Sequence, residues 1–97
     1  MDYKEQINSS DLVLVEFYAT WCNHCQRMMP IIEEVKKKIA GSAVVYQYDI
    51  DENEKLGDDE KVESLPTFIL YKDGKEVWRH SGEMIEEALI SQIKIFR

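Results

Sequence analysis

Only two cysteines occur in this chain of 97 residues, and they stand three positions apart in Trp21-Cys22-Asn23-His24-Cys25. Such a pair can close a small disulfide ring where a helix begins. There the first sulfur meets backbone N–H groups that lack partners, together with the positive end of the helix dipole, and both favour thiolate over thiol. A thiolate is the species that attacks a disulfide, and a neighbouring thiol can then attack the mixed disulfide and release the substrate. This division of labour requires an exposed first cysteine and a more protected second one. Cys22 falls in the turn and Cys25 on the first helical face, which suits it. The competing chemistry is metal binding. Zinc usually takes four ligands, and His24 and His80 are the only histidines. No spacing argument brings both to the cysteines, so the metal reading needs that convergence or a cluster shared between two subunits.

The pattern around the pair sets out the elements that must position it. Leu12 to Tyr18 is apolar nearly throughout, as expected of a strand buried on both faces of a sheet. From Cys22 onward, Met28, Ile32, Val35 and Ile39 recur at helical spacing, acids precede lysines, and Gly41 is the expected stop. Pro30 lies inside this helix and is expected to kink it. A short helix over Tyr3 to Asn8 precedes the first strand, and a second strand spans Ala43 to Ile50. Acidic residues Asp51 to Glu63 form a loop and an irregular helix holding Leu56 and Val62. Pro66 opens a third strand, Thr67 to Tyr71. Asp73-Gly74 is a two-residue hairpin signal, and Glu76 to His80 returns as the fourth strand. Gly82 breaks the chain before a last helix that turns Ile85, Ala88, Leu89, Ile93 and Phe96 inward. Tyr18 and Trp78 read as core aromatics, and His80 as an ordinary strand residue. A right-handed crossover makes the first two strands parallel, and the hairpin adds two antiparallel ones. The expected fold class is therefore α/β, a mixed four-stranded sheet flanked by helices, in one domain over residues 1–97.

Composition excludes several other functions. Hydrophobic residues make up 44% of the chain, enough for a core, and charges are interspersed rather than blocked. Twelve Lys and Arg against nineteen Asp and Glu leave a net charge of −7, a poor surface for nucleic acid, whose binding draws on neutralised phosphates. No apolar stretch approaches the ~20 residues a membrane helix needs. The N-terminus does not read as a signal peptide, which makes the cytoplasm the expected compartment; removal of a leader would make it the periplasm or the exterior.

Glu16 stands out inside Leu12-Val13-Leu14-Val15-Glu16-Phe17. A buried acid there must be neutral, paired or hydrated; the alternative is a position facing solvent.

These residues together resemble the thioredoxin family of disulfide oxidoreductases. The resemblance rests on Val13 through Cys22, on Cys25 and Pro30, on Asp49-Ile50-Asp51 and Leu65-Pro66-Thr67, and on Lys72-Asp73-Gly74-Lys75 and Gly82, at intervals that also match. It covers roughly residues 11 to 97, and it lacks the family's N-terminal edge strand. The resemblance implies that Cys22 is the nucleophile and Cys25 the resolving cysteine. It also implies that Pro66 is a cis-proline facing the dithiol, with no N–H of its own beside the sulfurs. Glu16 takes the place of a buried Asp that helps move the resolving thiol's proton. The family's nearby lysine is replaced by Gln47, so the carboxyl is expected to hold its proton to higher pH. Trp21, Ile50, Leu65, Pro66 and Gly82 are implied as an apolar substrate-docking patch, with Glu83 where a small residue is common.

Asn23-His24 departs from the Gly-Pro of thioredoxins and is similar to the pattern of protein disulfide isomerases. An imidazole beside Cys22 would stabilise its thiolate and make the disulfide a stronger oxidant; the alternative is a solvated loop histidine. The resulting expectation is a monomeric protein dithiol–disulfide oxidoreductase that reduces protein disulfides. It uses no cofactor or metal and is recharged by an upstream thioredoxin-reductase-like donor. A net oxidase or isomerase in an oxidising compartment is the rival within the class. A noncatalytic metal-cluster module is the rival outside it.

Overall fold

The structure, a computed structural model, describes residues 2–97. Strand β1 (Leu12–Tyr18) organises it, with every side chain from Leu12 to Phe17 buried. On one side it pairs in parallel with β2 (Val44–Asp49), reached through helix α2 (Asn23–Ile39). On the other it pairs antiparallel with β3 (Thr67–Lys72), which turns back into β4 (Lys75–Ser81). The strand order is β2-β1-β3-β4, the mixed four-stranded sheet expected from the sequence. The hairpin turn puts Asp73 and Gly74 at φ 51 and 79, the left-handed pair that matches the twist of the flanking strands.

Alternation along β1 divides the core. Leu12 and Leu14 face Met28, Ile32, Val35 and Ile39 of α2 and Leu89 and Ile93 of α4 (Glu86–Ile95). Val13, Val15 and Phe17 face the other layer, with Tyr3 and Ile7 of α1 (Tyr3–Ile7) and Leu56 of α3 (Glu54–Asp59). A strand covered on both sides has no polar face, which is why its sequence is apolar nearly throughout.

Several expectations need correction. α2 continues through Pro30, as the sequence places it, with the proline on an exposed face. Gly41, at φ 85, follows the C-cap Ala40 as anticipated. Ile85 does not turn inward: it is the N-cap of α4, in extended conformation, and 66% exposed. Tyr18 and Trp78 are half-buried rather than core, because both lie near the sheet's margin; Trp78 stacks on His80 with ring centroids 6.0 Å apart.

Met28 ties α2 to the loop that passes the dithiol. It is fully buried, and its Sδ accepts the Met84 N–H at 3.5 Å. Met28→Ala should lower the unfolding free energy by about 3 kcal/mol, the cost of an unfilled core cavity. Urea denaturation checks this, and a loss below about 1 kcal/mol would show that the loop and helix do not depend on this contact.

Candidate active site

The chain leaves β1 at Tyr18 and makes a tight turn in which the Cys22 N–H donates to the Ala19 carbonyl at 3.2 Å. Cys22 then serves as the N-cap of α2. Its Sγ accepts the Cys25 N–H at 3.3 Å, the place a serine or aspartate oxygen usually takes. Both cysteines are free thiols. The first sulfur is less open than the sequence suggested: Cys22 is 7% exposed and Cys25 1%. Half-buried Tyr18, Ile50 and Leu65 pack around them and account for this. Burial, followed by the hydrogen bond with Cys22, pushes the Cys25 thiol well above the usual thiol range.

Across from the dithiol, the Leu65–Pro66 peptide bond is cis and Pro66 is buried. The Cys22 thiol points at the Leu65 carbonyl at 3.9 Å. The Pro66 carbonyl accepts the Gly82 N–H at 2.8 Å. Gly82 has φ 104, a conformation that favours glycine. Trp21 is 67% exposed, and its indole N–H donates to Asp51 Oδ2 at 2.8 Å, which fixes the ring beside the cysteines. Trp21, Ile50, Leu65, Pro66 and Gly82 thus come from four separate segments to one end of the sheet.

His24 is placed differently from its expected contact with Cys22. Its Nδ1 meets Glu83 Oε2 at 2.5 Å, and no hydrogen bond joins it to either sulfur. Arg27, one turn further along α2, donates from Nε and Nη2 to the same carboxylate at 2.7–3.1 Å. His24 Nδ1 and Arg27 Nη2 also lie 2.8 Å apart, so the two side chains and Glu83 form one cluster. These partners, Arg27 foremost, hold the Glu83 carboxyl down at about 2. Asn23 is exposed. Nothing local in the sequence pairs Arg27 with Glu83. Arg27 stands at i+3 from His24, a helical neighbour, but Glu83 approaches from a distant loop.

Glu16 is fully buried rather than facing solvent. Its Oε1 accepts from Gln47 Nε2 at 2.9 Å, while Oε2 has no partner among the described residues. Burial pushes the carboxyl up to about 7, against the opposing pull of the Gln47 hydrogen bond and the Lys36 charge. The proton is retained to higher pH in the expected direction. The cation is not lost, however: Lys36 Nζ donates to Gln47 Oε1 at 2.8 Å.

Comparison with known proteins agrees with this geometry. The family model described as Thioredoxin matches residues 1–95. The chain is 40% identical over 88 residues to thioredoxin Y1, chloroplastic, of Arabidopsis thaliana, covering 91% of this chain and 51% of that one. It is 39% identical over 92 residues to a thioredoxin of Rickettsia felis, covering 94% and 88%. It thus spans about half the length of the chloroplastic relative and most of the bacterial one. A solved thioredoxin structure from Plasmodium falciparum superposes with TM-score 0.88 at 33% identity, covering 98% of this chain and 91% of the other.

The buried acid has a measurable cost. Its folded value of about 7 lies above the ordinary 4.5, so between those pH values the native chain keeps a proton that the unfolded chain has released. Stability therefore falls as pH rises through this window, and the full penalty stands above pH 7. Glu16→Gln should be close to neutral at pH 4 and stabilise by roughly 3 kcal/mol at pH 8. Denaturant midpoints across pH 4 to 8 test this; equal pH slopes in both proteins would contradict it.

Proposed function

The chain belongs to the thioredoxin family, and on that footing we propose that it is a protein dithiol–disulfide oxidoreductase that reduces disulfides in protein substrates. The observation that carries this reading is the Cys22 sulfur at the N-cap of α2, accepting the Cys25 N–H beside the Leu65–Pro66 segment. Its thioredoxin relatives support exchange over a metal-cluster role.

In the forward direction the Cys22 thiolate attacks one sulfur of a substrate disulfide. A bond forms between Cys22 Sγ and that sulfur, and the second substrate sulfur leaves as a thiolate. Cys25 then gives up its proton and attacks Cys22 Sγ. The Cys22–Cys25 disulfide forms, the remaining substrate sulfur leaves, and two electrons have passed to the substrate. Burial opposes the Cys25 thiolate, so this step needs a proton acceptor close by. Glu16 fills that role through its unpartnered Oε2. A reductase-like dithiol donor reverses the sequence, and the exchange itself uses no bound cofactor.

Trp21, Ile50, Leu65, Pro66 and Gly82 form the surface on which substrate docks, with an extended peptide pairing with the backbone around Leu65. Asn23 and His24 tune the pair. The His24 imidazole is engaged by Glu83 rather than by a cysteine sulfur, which favours the reducing over the oxidising direction and so a reducing compartment such as the cytoplasm. One domain over residues 1–97 acts as a monomer in this reading.

Cys25→Ser should reduce no insulin catalytically yet accumulate mixed disulfides through Cys22, whereas Cys22→Ser should accumulate none. Non-reducing electrophoresis and mass spectrometry of the adducts read the result. Trapping through Cys25 in the Cys22→Ser protein would reverse the assignment.

A further inference from the structure

Gln47 and Lys36, both half-buried, link the buried carboxyl to the helix surface. Gln47 is half-buried on β2, opposite Glu16 in the parallel register. Its amide is oriented by chemistry rather than by shape. The Lys36 ammonium can only donate, so it takes the amide oxygen, and the amide NH2 must then face Glu16. That NH2 can also only donate, so Glu16 Oε1 is held as an acceptor in either protonation state. Oε2, buried and without a partner, is the one oxygen left to bind and release a proton. Lys36 in turn pairs with Glu33 Oε2 at 3.1 Å at the helix surface.

We propose that Lys36, acting through the Gln47 amide, is a positioning residue that sets the proton affinity of Glu16, and that Glu33 moderates it from outside. The inference rests on the proton-accepting role given to Glu16 above. Each contact has a sign. The Lys36 charge favours the carboxylate, so its loss raises the proton affinity. Glu33 partly neutralises Lys36, so its loss lowers that affinity.

Other titratable groups on this side of the sheet must be held in view. Cys22 and Cys25 are on the α2 side, Tyr18 follows Glu16 on β1, and Asp49 shares the face of Gln47 on β2. His80 sits across β3 on β4, beyond Phe68. α4 presents Leu89 and Ile93 to this layer. Asp49 Oδ1 is occupied by the Asp51 N–H. In the oxidised protein the cysteines have no thiol to titrate, so the carbon resonance of the Glu16 carboxyl reports its own protonation.

The test is a pH titration of that resonance in the oxidised full chain. Lys36→Met should move the midpoint up by about half a pH unit, roughly a threefold gain in proton affinity, and Glu33→Gln should move it down by a smaller amount. Lys36→Arg should restore the wild-type midpoint. Opposite signs from two surface positions are not expected of residues that only pack. Unchanged midpoints in both Lys36→Met and Glu33→Gln would overturn the proposal. Should Lys36→Met fold poorly, the downward shift in Glu33→Gln stands as the deciding result. Failure of the underlying reading shows elsewhere: the pH profile of insulin reduction would then be the same in Glu16→Gln as in wild type, whatever the midpoints do.

Discussion

A sulfur atom in the position of a helix cap is the constraint on which the site depends. Cys22 Sγ takes the Cys25 N–H where an oxygen would ordinarily satisfy it, and this places the first sulfur against the unpaired N–H groups and positive dipole end of a helix of 17 residues. That position is held from both sides. Upstream, β1 is buried along Leu12 to Phe17 and hydrogen-bonded to a neighbouring strand on each edge. Downstream, the stripe from Met28 to Ile39 fixes the rotation of α2, and the same rotation puts Cys25 on the inner face. Unequal environments for two cysteines three residues apart are therefore a consequence of helix geometry and core packing.

The second constraint is electrostatic, and it opposes stability. Glu16 occupies a position in β1 among apolar side chains, and burial raises its carboxyl to about 7. A leucine there would suit the core better, but it could not take a proton. The cost is moderated by Gln47, which satisfies one oxygen, and by the charge of Lys36 behind it. What results is an acid whose proton is held loosely enough to move near neutral pH, next to a thiol that burial keeps protonated.

Features carried by local pattern were legible in the sequence. The Cys22/Cys25 spacing, the apolar run of β1, the Asp73-Gly74 turn and the heptad-like stripe of α2 each follow from neighbours within a few positions, and each stands where expected. Glu16 was legible as an anomaly, since an acid in an apolar run must be explained. Its partner was only half legible: the absence of a lysine at Gln47 was visible, but Lys36, 11 residues away in sequence, reaches the same amide only once α2 is packed on the sheet. The His24–Glu83 contact joins residues separated by 59 positions, and nothing local announces it. Ile85 misled for the opposite reason, because an apolar residue in phase with a helix served instead as its exposed cap.

The central claim is that the two sulfurs differ because Cys22 caps α2 while burial on the inner face holds the Cys25 thiol protonated. Alkylation of the reduced protein with limiting iodoacetamide near neutral pH, mapped by mass spectrometry of the peptides, measures this directly. Cys22 should carry nearly all of the label, by about tenfold or more over Cys25, because thiolate is the reacting species. Equal labelling, or a preference for Cys25, would contradict the account.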